Sequence, residues 1–509
     1  MFCHLMSRGP IVAAMLVGAS LLFSIPSSLS AQVATVQITR TPQGSAVPSD
    51  FVGISIENSI GQTYFGTISA PNTVFLQLLK NLGSSGSLRI GGDTGDTSCW
   101  SGQAAPDPSI CAYQLTSADF SSWAMASAQT GWPMLIGVSL AQAESTGAPQ
   151  YIVNEITQGL VPVLQQHPKA KLLGIELGNE INLYYLNPAF RPSTYSVANQ
   201  VSDLQSYVSA LKSNATTKGM TLTVPAYYDP SVNSIEQGVD VIVQDLTKCA
   251  KCVASNVGLV TLHEYPLTLN KGQVPTIAQL LSNTIDTNTE QVFTQAVSDA
   301  TAKFGLSVQL DESGSVSVDP GQPGVSNVQA AVLWELDFAL DMARIGMRRA
   351  NFHIHDGSYY IPIQVNSTGA GSYQVEVMPT YYSLYGFGAA KGQQFLPVTT
   401  TTSANIRAYA LSTCSTCPIT VYLINKDLTA SGSVQISLSA PATNATYFEI
   451  AAPSLSSTVQ NITYGGVQFS NSTGQLTGPV QTQTIQPDVN GNYTVTLDNA
   501  AAGILTIQP

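Results

Sequence analysis

The stretch Leu172-Leu-Gly-Ile-Glu-Leu-Gly-Asn-Glu180 is a short apolar run that ends in glycine, asparagine and glutamate. A run of this length, rich in leucine and isoleucine and followed by turn-forming residues, is typical of a buried strand in a parallel sheet. A second run of the same kind, Leu306-Ser-Val-Gln-Leu-Asp-Glu312, also ends in a glutamate. Because parallel barrel strands present their carboxyl ends on one face, the two runs predict that Glu180 and Glu312 face one site.

The same pattern recurs through the middle of the chain. Amphipathic stretches of helical length separate the strand-like runs, at residues 72–81, 118–130, 150–166, 193–213 and 328–347. Eight such units predict a (β/α)8 barrel. An open doubly wound sheet is the alternative, but Arg89-Ile-Gly-Gly92 lacks the glycine-rich turn that such a sheet uses for phosphates. The eight strand-like runs are residues 51–58, 87–93, 134–140, 172–180, 221–227, 257–265, 306–312 and 351–356.

The helical pattern stops near Thr399. Short alternating runs separated by polar turns follow, which indicates a β-sandwich. Residues 33–39 show the same alternation, so we expect this segment to pair with the sandwich. The predicted fold is therefore an α/β barrel with an appended all-β sandwich. Its predicted divisions are a signal peptide (1–31), a strand that joins the sandwich (32–47), the barrel (48–390) and the sandwich (391–509).

The first thirty residues have the features of an export signal. Arg8 lies in a short polar start, an apolar run covers residues 11–23, and small residues follow up to Ala31. We expect cleavage near Ser30 or Ala31 and a secreted or periplasmic protein that is not membrane-bound afterwards. The alternative is an uncleaved anchor, but the run is shorter than the roughly 20 apolar residues of a membrane span.

Composition narrows the functional classes. Only 10% of the 509 residues are charged, and the formal net charge is −12. A negative chain is repelled by phosphate backbones, which argues against nucleic acid as a partner. The surface must consist largely of uncharged polar side chains, as in many secreted carbohydrate-active proteins.

Six cysteines remain after signal removal, and they are close together in pairs. Short spacings of this kind predict disulfides in an oxidising compartment. Two of the pairs are Cys-x-x-Cys and have zinc binding as an alternative, although no histidine-rich stretch flanks them. The expected pairs are Cys99 with Cys111, Cys249 with Cys252, and Cys414 with Cys417.

The predicted strand ends carry the candidate chemistry. Asn179-Glu180 closes the fourth strand, His263-Glu-Tyr265 closes the sixth, and Glu312 closes the seventh. A retaining glycosidase needs one carboxyl group to protonate the leaving oxygen and a second to attack the anomeric carbon. The chain resembles glycosidases of clan A, which carry Asn-Glu after strand 4 as the acid/base and Glu after strand 7 as the nucleophile.

Five segments narrow the resemblance to one family: Leu88-Arg-Ile-Gly-Gly92, Leu177-Gly-Asn-Glu180, Thr261-Leu-His-Glu-Tyr265, Leu310-Asp-Glu-Ser313, and Gly369-Ala-Gly-Ser-Tyr373 followed by Pro379-Thr-Tyr-Tyr382. Through these segments the chain is similar to glycoside hydrolase family 79, the heparanase and β-glucuronidase family of that clan. The resemblance implies that the Gly371 backbone N–H and the Tyr373 hydroxyl hold the C6 carboxylate of the substrate. A flexible glycine turn is the alternative interpretation of that loop.

The retaining mechanism requires a different protonation state, and therefore a different environment, for each glutamate. Glu180 must be protonated when substrate arrives, which requires a raised pKa, whereas Glu312 must stay ionised. We expect Arg89 and the Tyr265 hydroxyl to favour the charged form of Glu312. Asn179 is expected to bind the sugar 2-hydroxyl.

Several of these residues have structural alternatives. The alternative for Arg89 is a purely structural role, in which it neutralises a buried acid such as Glu176. The alternative for His263 is a satisfied core histidine. Glu57, at the end of the first strand, is expected either to bind substrate hydroxyls or to pair with Arg89.

Residues in the loops after the strands also have both a functional and a structural interpretation. Asp93 and Asp96 follow the second strand, where they either contact sugar hydroxyls or lie in a solvated turn. Ile181 occupies a position where many relatives have proline. Without that rigid residue, the sequence does not determine the backbone geometry after Glu180. The stretch 356–378 is long, and its Tyr359 and Tyr360 are candidates for stacking on sugar rings.

The sequence thus predicts a secreted retaining β-glucuronidase without metal or organic cofactor. Its partner would be a glucuronic-acid-containing oligo- or polysaccharide, and its oligomeric state is left open. A clan A glycosidase for a neutral sugar, of the β-xylosidase or arabinofuranosidase type, is the nearest alternative. A non-catalytic carbohydrate-binding barrel is the other.

Overall fold

The computed structural model describes residues 31–248, 257–269, 272–369, 371–439 and 443–509. Eight parallel strands, β1 to β8, hydrogen-bond in chain order, and β8 pairs with β1 to close a barrel. The predicted barrel is confirmed. The strands are β1 (Val52–Glu57), β2 (Leu88–Gly91), β3 (Met134–Val138), β4 (Leu172–Leu177), β5 (Leu222–Tyr227), β6 (Val257–Glu264), β7 (Ser307–Ser313) and β8 (Arg349–Ile354).

Helices follow the strands and cover the outside of the barrel. Their ends are set by local signals: the helix Ser117–Thr130 begins with a Thr116/Asp119 capping box and ends at Gly131 with a φ of 79°. The longer helical segments are Thr73–Asn81, Ser117–Thr130, Ala148–Asn154 continuing to Val161–Gln166, Val197–Ser213, Asp240–Lys248, Asn283–Asp299, Gln329–Arg344 and Thr380–Phe387. Shorter turns are Asn58–Ile60, Gly61–Phe65, Asp93–Asp96, Pro108–Ile110, Ala141–Glu144, Ile181–Leu186, Val232–Ser234, Ile277–Leu280, Gly388–Ala390 and Val459–Asn461.

The barrel strands end differently from the sequence prediction at the positions that matter most. β4 stops at Leu177, and Glu180 lies in a turn with a φ of 49° instead of closing the strand. Gly178, with a φ of 77°, breaks the extended path and allows that turn. Glu312 lies inside β7 at a bulge, because the register with β6 shifts between Leu310 and Glu312.

β8 also begins two residues earlier than predicted. Arg348 and Arg349 suggest an exposed loop, yet Arg349 pairs with Gln309 of β7 in the barrel. Asp50 makes this possible, because its carboxylate lies 2.7 Å from Arg348 and 2.6 Å from Arg349. An arginine whose charge is paired with a carboxylate can occupy a buried strand position, whereas an unpaired arginine would be too costly to bury there.

The rest of the chain forms two antiparallel-dominated sheets packed face to face, as the predicted sandwich requires. In the smaller sheet Gln32–Ile38 runs antiparallel to Val398–Thr402 and parallel to Gly432–Leu438. The small sheet is Val398–Thr402, Gln32–Ile38, Gly432–Leu438 and Tyr493–Leu497. The large sheet is Gln394–Leu396, Ile406–Ser412, Ile419–Asn425, Ala501–Ile507, Ala445–Ala451 and Thr463–Tyr464, with Gln483–Ile485 also paired to Ala445–Ala451.

The large sheet packs directly on the barrel. Its buried Tyr422 and Ile504 belong to the same apolar cluster as the barrel core. Gln329, at the start of the last long barrel helix, donates to the carbonyl oxygen of Ala500 at 2.8 Å. Lys426 of the sheet side is buried between Asp286 and Asp337 of the barrel helices, at 2.5 and 2.6 Å. We call these three residues the Lys426 cluster.

Two of the three expected disulfides are present. Cys99 is bonded to Cys111 and Cys414 to Cys417. Cys249 and Cys252 lie outside the described residues, as does the expected signal segment up to residue 30.

Within the described ranges, no helix is both long and apolar enough to cross a membrane.

Three two-stranded sheets lie in the loops that follow the barrel strands. Leu267–Thr268 pairs with Val316–Ser317, and Ser98–Trp100 pairs with Tyr113–Leu115. The long stretch after β8 contains the hairpin Ile363–Gly369 and Ser372–Val377.

Candidate active site

The two glutamates meet at the carboxyl end of the barrel. A carboxylate oxygen of Glu180 and one of Glu312 lie within 4.8 Å of each other. Glu180 is partly accessible, with 17% of its side chain exposed, and Glu312 lies deeper, with 9% exposed. The backbone N–H of Glu180 donates to the Ala226 carbonyl at 2.9 Å, which fixes the turn against β5.

Glu312 is held by donors on two sides. Arg89 donates from Nη1 to Oε2 at 2.6 Å, and the Tyr265 hydroxyl donates to Oε1 at 2.8 Å. Both contacts agree with the sequence expectation. Each favours the charged carboxylate over the neutral acid.

The surroundings shift the two acidities in opposite directions. Burial raises the pKa of Glu180 well above its usual range, and the nearby charges of Glu312 and Asp93 add to that effect. Burial alone would raise the pKa of Glu312 as well, but the positive charges of neighbouring His353 and Arg89 hold it well below its usual range. The site therefore pairs a proton-carrying carboxyl group with an ionised one.

His263 lies between the two carboxyl groups. Its Nδ1 is 2.9 Å from Glu180 Oε1 and 4.0 Å from Glu312 Oε2, while Nε2 is 3.4 Å from Asp311. Burial lowers the pKa of His263 to about 3, so the ring is neutral near pH 7. We therefore assign the lowered pKa of Glu312 to Arg89 and His353 rather than to this ring. His263 is therefore buried, as expected of a core histidine, but it also contacts the candidate acid/base Glu180.

Arg89 combines both roles that the sequence left open. It is fully buried and donates to Glu176 at 2.7 Å as well as to Glu312. Its remaining donors reach Ser55 at 3.2 Å and the Asn179 side-chain oxygen at 2.7 Å. One guanidinium thus neutralises a structural acid and positions a candidate catalytic one.

Glu57 does not pair with Arg89. Its carboxylate accepts hydrogen bonds from the backbone N–H groups of Asp93 and Thr94, at 3.1 and 2.7 Å. His353 Nε2 lies 3.3 Å away on the other side. With 2% exposure and these partners, Glu57 is a buried anchor of the loop after β2.

Asp93 and Asp96 differ from each other. Asp93 is exposed, and its carboxylate accepts from Asn179 Nδ2 at 2.9 Å. Asp96 is buried and lies in neither a solvated turn nor a sugar-facing position. It accepts from the Tyr184 hydroxyl at 2.7 Å and from the Asn179 backbone at 3.3 Å. It therefore braces the turn that carries Glu180.

Three tyrosines line the side of the site formed by β5 to β8. The ring centroids of Tyr228 and Tyr265 are 6.2 Å apart, and Tyr360 meets Tyr265 edge-on at 5.6 Å. Tyr360 is buried, and its hydroxyl donates to Asp319 at 2.8 Å. It therefore supports Tyr265 from behind, whereas Tyr359 is half-buried.

The loop expected to receive a carboxylate lies on the hairpin after β8. Gly371 has a φ of 78°, and an added Cβ would meet the Ala70 side chain at 2.6 Å. The Tyr373 hydroxyl donates to the Ala70 carbonyl at 3.0 Å. Its proton is thus engaged by the loop after β1, and the structure does not bring Tyr373 into contact with the glutamate pair.

The sequence reasoning missed His353, Ser55 and Asp311. His353 Nδ1 is 2.9 Å from the Ser55 hydroxyl and 3.7 Å from Glu312. Nearby Glu312 and Glu57 raise the pKa of His353 despite its burial. A histidine inside the last apolar strand was the available signal, because a buried strand rarely carries one without a partner.

Parts of the chain are similar in sequence to known proteins. Residues 408–504 match the model of the glycosyl hydrolase family 79 C-terminal β domain. A β-glucuronidase of Aspergillus niger is 26% identical over 368 residues, which cover 67% of this chain. The match spans 65% of the length of that relative.

Solved structures share the fold over nearly the whole chain. A 4-O-α-L-rhamnosyl-β-D-glucuronidase from Fusarium oxysporum 12S is 21% identical, with a TM-score of 0.70 over 93% of this chain and 100% of that one. A family 51 arabinofuranosidase from Xanthomonas axonopodis pv. citri is 14% identical, with a TM-score of 0.66 over 94% and 100%. Over residues 408–504 the chain is therefore similar to glycoside hydrolase family 79, and over nearly its whole length it shares the fold of solved glycosidases.

Proposed function

We propose that the protein is a retaining glycoside hydrolase in which Glu180 is the acid/base and Glu312 the nucleophile. The observation that carries this proposal is the pair itself. The carboxylate oxygens approach within 4.8 Å, and the two pKa values are shifted in opposite directions. Retaining enzymes hold the two carboxyl groups about 5–5.5 Å apart, whereas inverting enzymes need about 6.5–9.5 Å to admit a water molecule.

In the first step Glu312 attacks the anomeric carbon and the bond to the leaving oxygen breaks. Glu180 gives its proton to that oxygen, so the leaving group departs as a neutral alcohol. The negative charge of Glu312 is consumed in a glycosyl ester. Arg89 and the Tyr265 hydroxyl hold the carboxylate in position for the attack.

In the second step Glu180, now ionised, takes a proton from water as the water attacks the same carbon. The ester bond to Glu312 breaks, and the sugar leaves with its original anomeric configuration. Both glutamates return to their starting protonation states. The chemistry needs no metal and no organic cofactor.

We propose a β-linked glucuronic acid as the sugar, within an oligosaccharide, a polysaccharide or another glucuronide. Support comes from the Aspergillus niger relative and from the β-domain match. The engaged hydroxyl of Tyr373 favours the neutral-sugar alternative, because a carboxylate receptor would have to release the Ala70 carbonyl. A glucuronic acid substrate must therefore displace the contact between the Tyr373 hydroxyl and the Ala70 carbonyl before its carboxylate can accept from Tyr373.

Hydrolysis of p-nitrophenyl β-glucuronide, β-glucoside and β-xyloside tests the sugar assignment. All three share one leaving group, so differences in kcat/KM report the sugar alone. We expect the glucuronide to be preferred. A preference for the glucoside or xyloside would overturn the uronate proposal while leaving the two-glutamate mechanism intact.

A Glu312→Gln variant separates the enzyme from a non-catalytic carbohydrate-binding barrel. The amide keeps the shape and the Tyr265 contact but cannot attack carbon, so turnover should be lost while circular dichroism is unchanged. Unaltered hydrolysis would show that the nucleophile lies elsewhere.

We propose further that the protein is exported. The Cys99–Cys111 and Cys414–Cys417 disulfides support an oxidising compartment, where such bonds persist.

A further inference from the structure

Two consecutive acids of β7 lie beside the same histidine. Neighbouring residues of a regular strand point to opposite faces, so Asp311 and Glu312 would ordinarily point apart. The bulge in β7 interrupts that alternation, because Leu310 pairs with Leu262 of β6 and Glu312 already pairs with His263. Asp311 Oδ1 lies 3.4 Å from His263 Nε2, and Glu312 Oε2 lies 4.0 Å from His263 Nδ1.

Asp311 is a buried acid that has no other partner among the described residues. Its side chain is fully removed from water, and neither carboxylate oxygen accepts a hydrogen bond there. His263 Nε2 is also buried and makes no hydrogen bond. The 3.4 Å contact is longer than an ideal N–H···O bond, but it joins two groups that are otherwise unpaired. A buried carboxylate without a donor is costly, so this contact is the one that can stabilise Asp311.

The contact with Asp311 determines which nitrogen of His263 carries the proton. The ring is neutral near pH 7, so one of its nitrogens is a donor and the other an acceptor. If Nε2 were the acceptor, its lone pair would face the carboxylate of Asp311, and two acceptors repel each other. The proton therefore lies on Nε2, and Nδ1 is the acceptor. The alternative is a neutral Asp311 that donates to Nε2, which would place the ring proton on Nδ1.

The acceptor nitrogen of His263 faces the candidate acid/base. Nδ1 lies 2.9 Å from Glu180 Oε1, so the proton in this contact has to come from Glu180. Neutral Glu180 donates to Nδ1, whereas ionised Glu180 would place a second acceptor at the same short distance. The arrangement therefore stabilises the protonated acid before the first step and favours the recovery of a proton from water in the second.

We propose that Asp311, acting through His263, keeps Glu180 protonated, and that Asp311 and His263 are positioning residues for the acid/base. This inference rests on the proposed glycosidase function and deepens it, because it names the groups that hold the proton on the acid. Neither residue forms a covalent bond with substrate.

Other charged or titratable groups face Glu180 and His263. Glu312, Asp93 and Glu57 raise the pKa of Glu180, Arg89 lowers it, and His353 acts on His263. Tyr228 and Tyr265 are the tyrosines whose pKa values respond to Glu180. All of these groups are retained when Asp311 alone is replaced, so the difference between wild type and variant reports the contribution of Asp311.

The tautomer of His263 tests the proposal without any turnover. ¹⁵N NMR of histidine-labelled protein distinguishes a protonated ring nitrogen from an unprotonated one, and the signals that disappear in His263→Asn belong to His263. We expect a protonated Nε2 and an unprotonated Nδ1 near pH 7. A proton on Nδ1, or on both nitrogens, would overturn the proposal.

Asp311→Asn tests the effect on the acid. The side-chain amide can donate to Nε2, which moves the ring proton to Nδ1 and favours ionised Glu180. A suitable substrate is the methyl β-glycoside of the sugar that the enzyme prefers, because its leaving group requires protonation. We expect the alkaline limb of kcat/KM to move to lower pH by about one pH unit or more, because the variant also removes a nearby negative charge.

Glu335→Gln is the control for the loss of a buried acid. Glu335 is buried in the helix Gln329–Arg344 and accepts from the Ser383 hydroxyl at 2.7 Å, away from the glutamate pair. Its alkaline limb should stay in place. An unmoved limb in folded Asp311→Asn, or an equal movement in both variants, would contradict the role of Asp311.

Two further outcomes remain decisive. If Asp311→Asn does not fold, the wild-type tautomer decides whether Asp311 directs the proton of His263. If no glycoside is hydrolysed, the proposed function fails, and the same tautomer measurement still confirms or overturns the arrangement of Asp311, His263 and Glu180.

Discussion

At the scale of single residues, two glutamates acquire different chemistry from their neighbours. Glu180 is largely removed from water beside other acids and has no cation in direct contact among the described residues, so its neutral form is favoured. Glu312 accepts from Arg89 and from the Tyr265 hydroxyl, so its charged form is favoured. These differences support the proposed division of roles.

The two shifts predict a bell-shaped pH dependence of kcat/KM. Activity should fall as pH drops through the lowered pKa of Glu312 and as pH rises through the raised pKa of Glu180. In Glu180→Gln no acid remains to be deprotonated, so the alkaline limb should disappear. Substrates with unactivated alcohol leaving groups should slow about a hundredfold or more, and p-nitrophenyl substrates should slow least in the first step. Equal losses on both would contradict the acid/base role.

Tyr265→Phe tests the support of the nucleophile. The variant removes a hydrogen bond that stabilises ionised Glu312, so the pKa of that carboxyl group should rise and the acid limb should move to higher pH. A hydrogen bond to a charged group contributes about 1.5–3 kcal/mol, which corresponds to about tenfold or more in kcat.

Tyr360→Phe is the matched control, because its hydroxyl donates to Asp319 and not to Glu312. Its acid limb should stay in place. If both variants move the limb equally, the effect comes from general loosening of the tyrosine wall and not from the Tyr265 contact.

Sequence motifs predicted the residues that contact Glu312, whereas Tyr373, which a motif also named, contacts the Ala70 carbonyl. Arg89, Tyr265 and Glu312 meet as expected. His353 and Ser55 were missed because their partners are far apart in the chain. The Ser55–His353 contact joins residues 298 positions apart, and only closure of the barrel brings β1 beside β8.

At the scale of elements, the barrel strands could be found because both of their faces are buried. β1, β2 and β3 consist entirely of buried residues, which explains their continuous apolar runs. Their ends were harder to place. The Glu180 turn depends on Gly178 and on the Ala226 carbonyl, and the β7 bulge depends on β6, which are tertiary features.

The Lys426 cluster fastens barrel helices to the β domain. Replacement of Lys426 by methionine would remove the ion-pair partner of Asp286 and leave Asp337 with Arg407, at 3.3 Å, as its remaining cation. Removing one partner of a buried ion pair costs about 3–5 kcal/mol. We expect a loss of that size in the free energy of unfolding, measured by urea denaturation.

Lys303→Met provides the comparison on the surface. Lys303 pairs with Asp240 at 2.6 Å, but 47% of its side chain is exposed. Water screens such a pair, so the loss should be much smaller than for Lys426. Equal losses in the two variants would mean that the buried cluster does not fasten the domains.

At the scale of the whole molecule, the β domain draws its strands from distant parts of the sequence. Gln32–Ile38 lies between Val398–Thr402 and Gly432–Leu438. Alternation of apolar residues was sufficient to associate this segment with the sandwich, because the strand buries one face. The large sheet then shares its buried cluster with the barrel, which a sequence pattern does not reveal.

The proposed mechanism depends above all on Glu312, at the carboxyl end of the barrel, acting as the nucleophile. A 2-deoxy-2-fluoro-β-glucuronyl fluoride should react with the nucleophile, because the fluorine at C2 slows the breakdown of the glycosyl ester and the fluoride leaves without acid assistance. Mass spectrometry of the digested protein then locates the adduct. We predict one sugar per chain, attached to Glu312. An adduct on another residue, or steady hydrolysis without any covalent intermediate, would contradict the account.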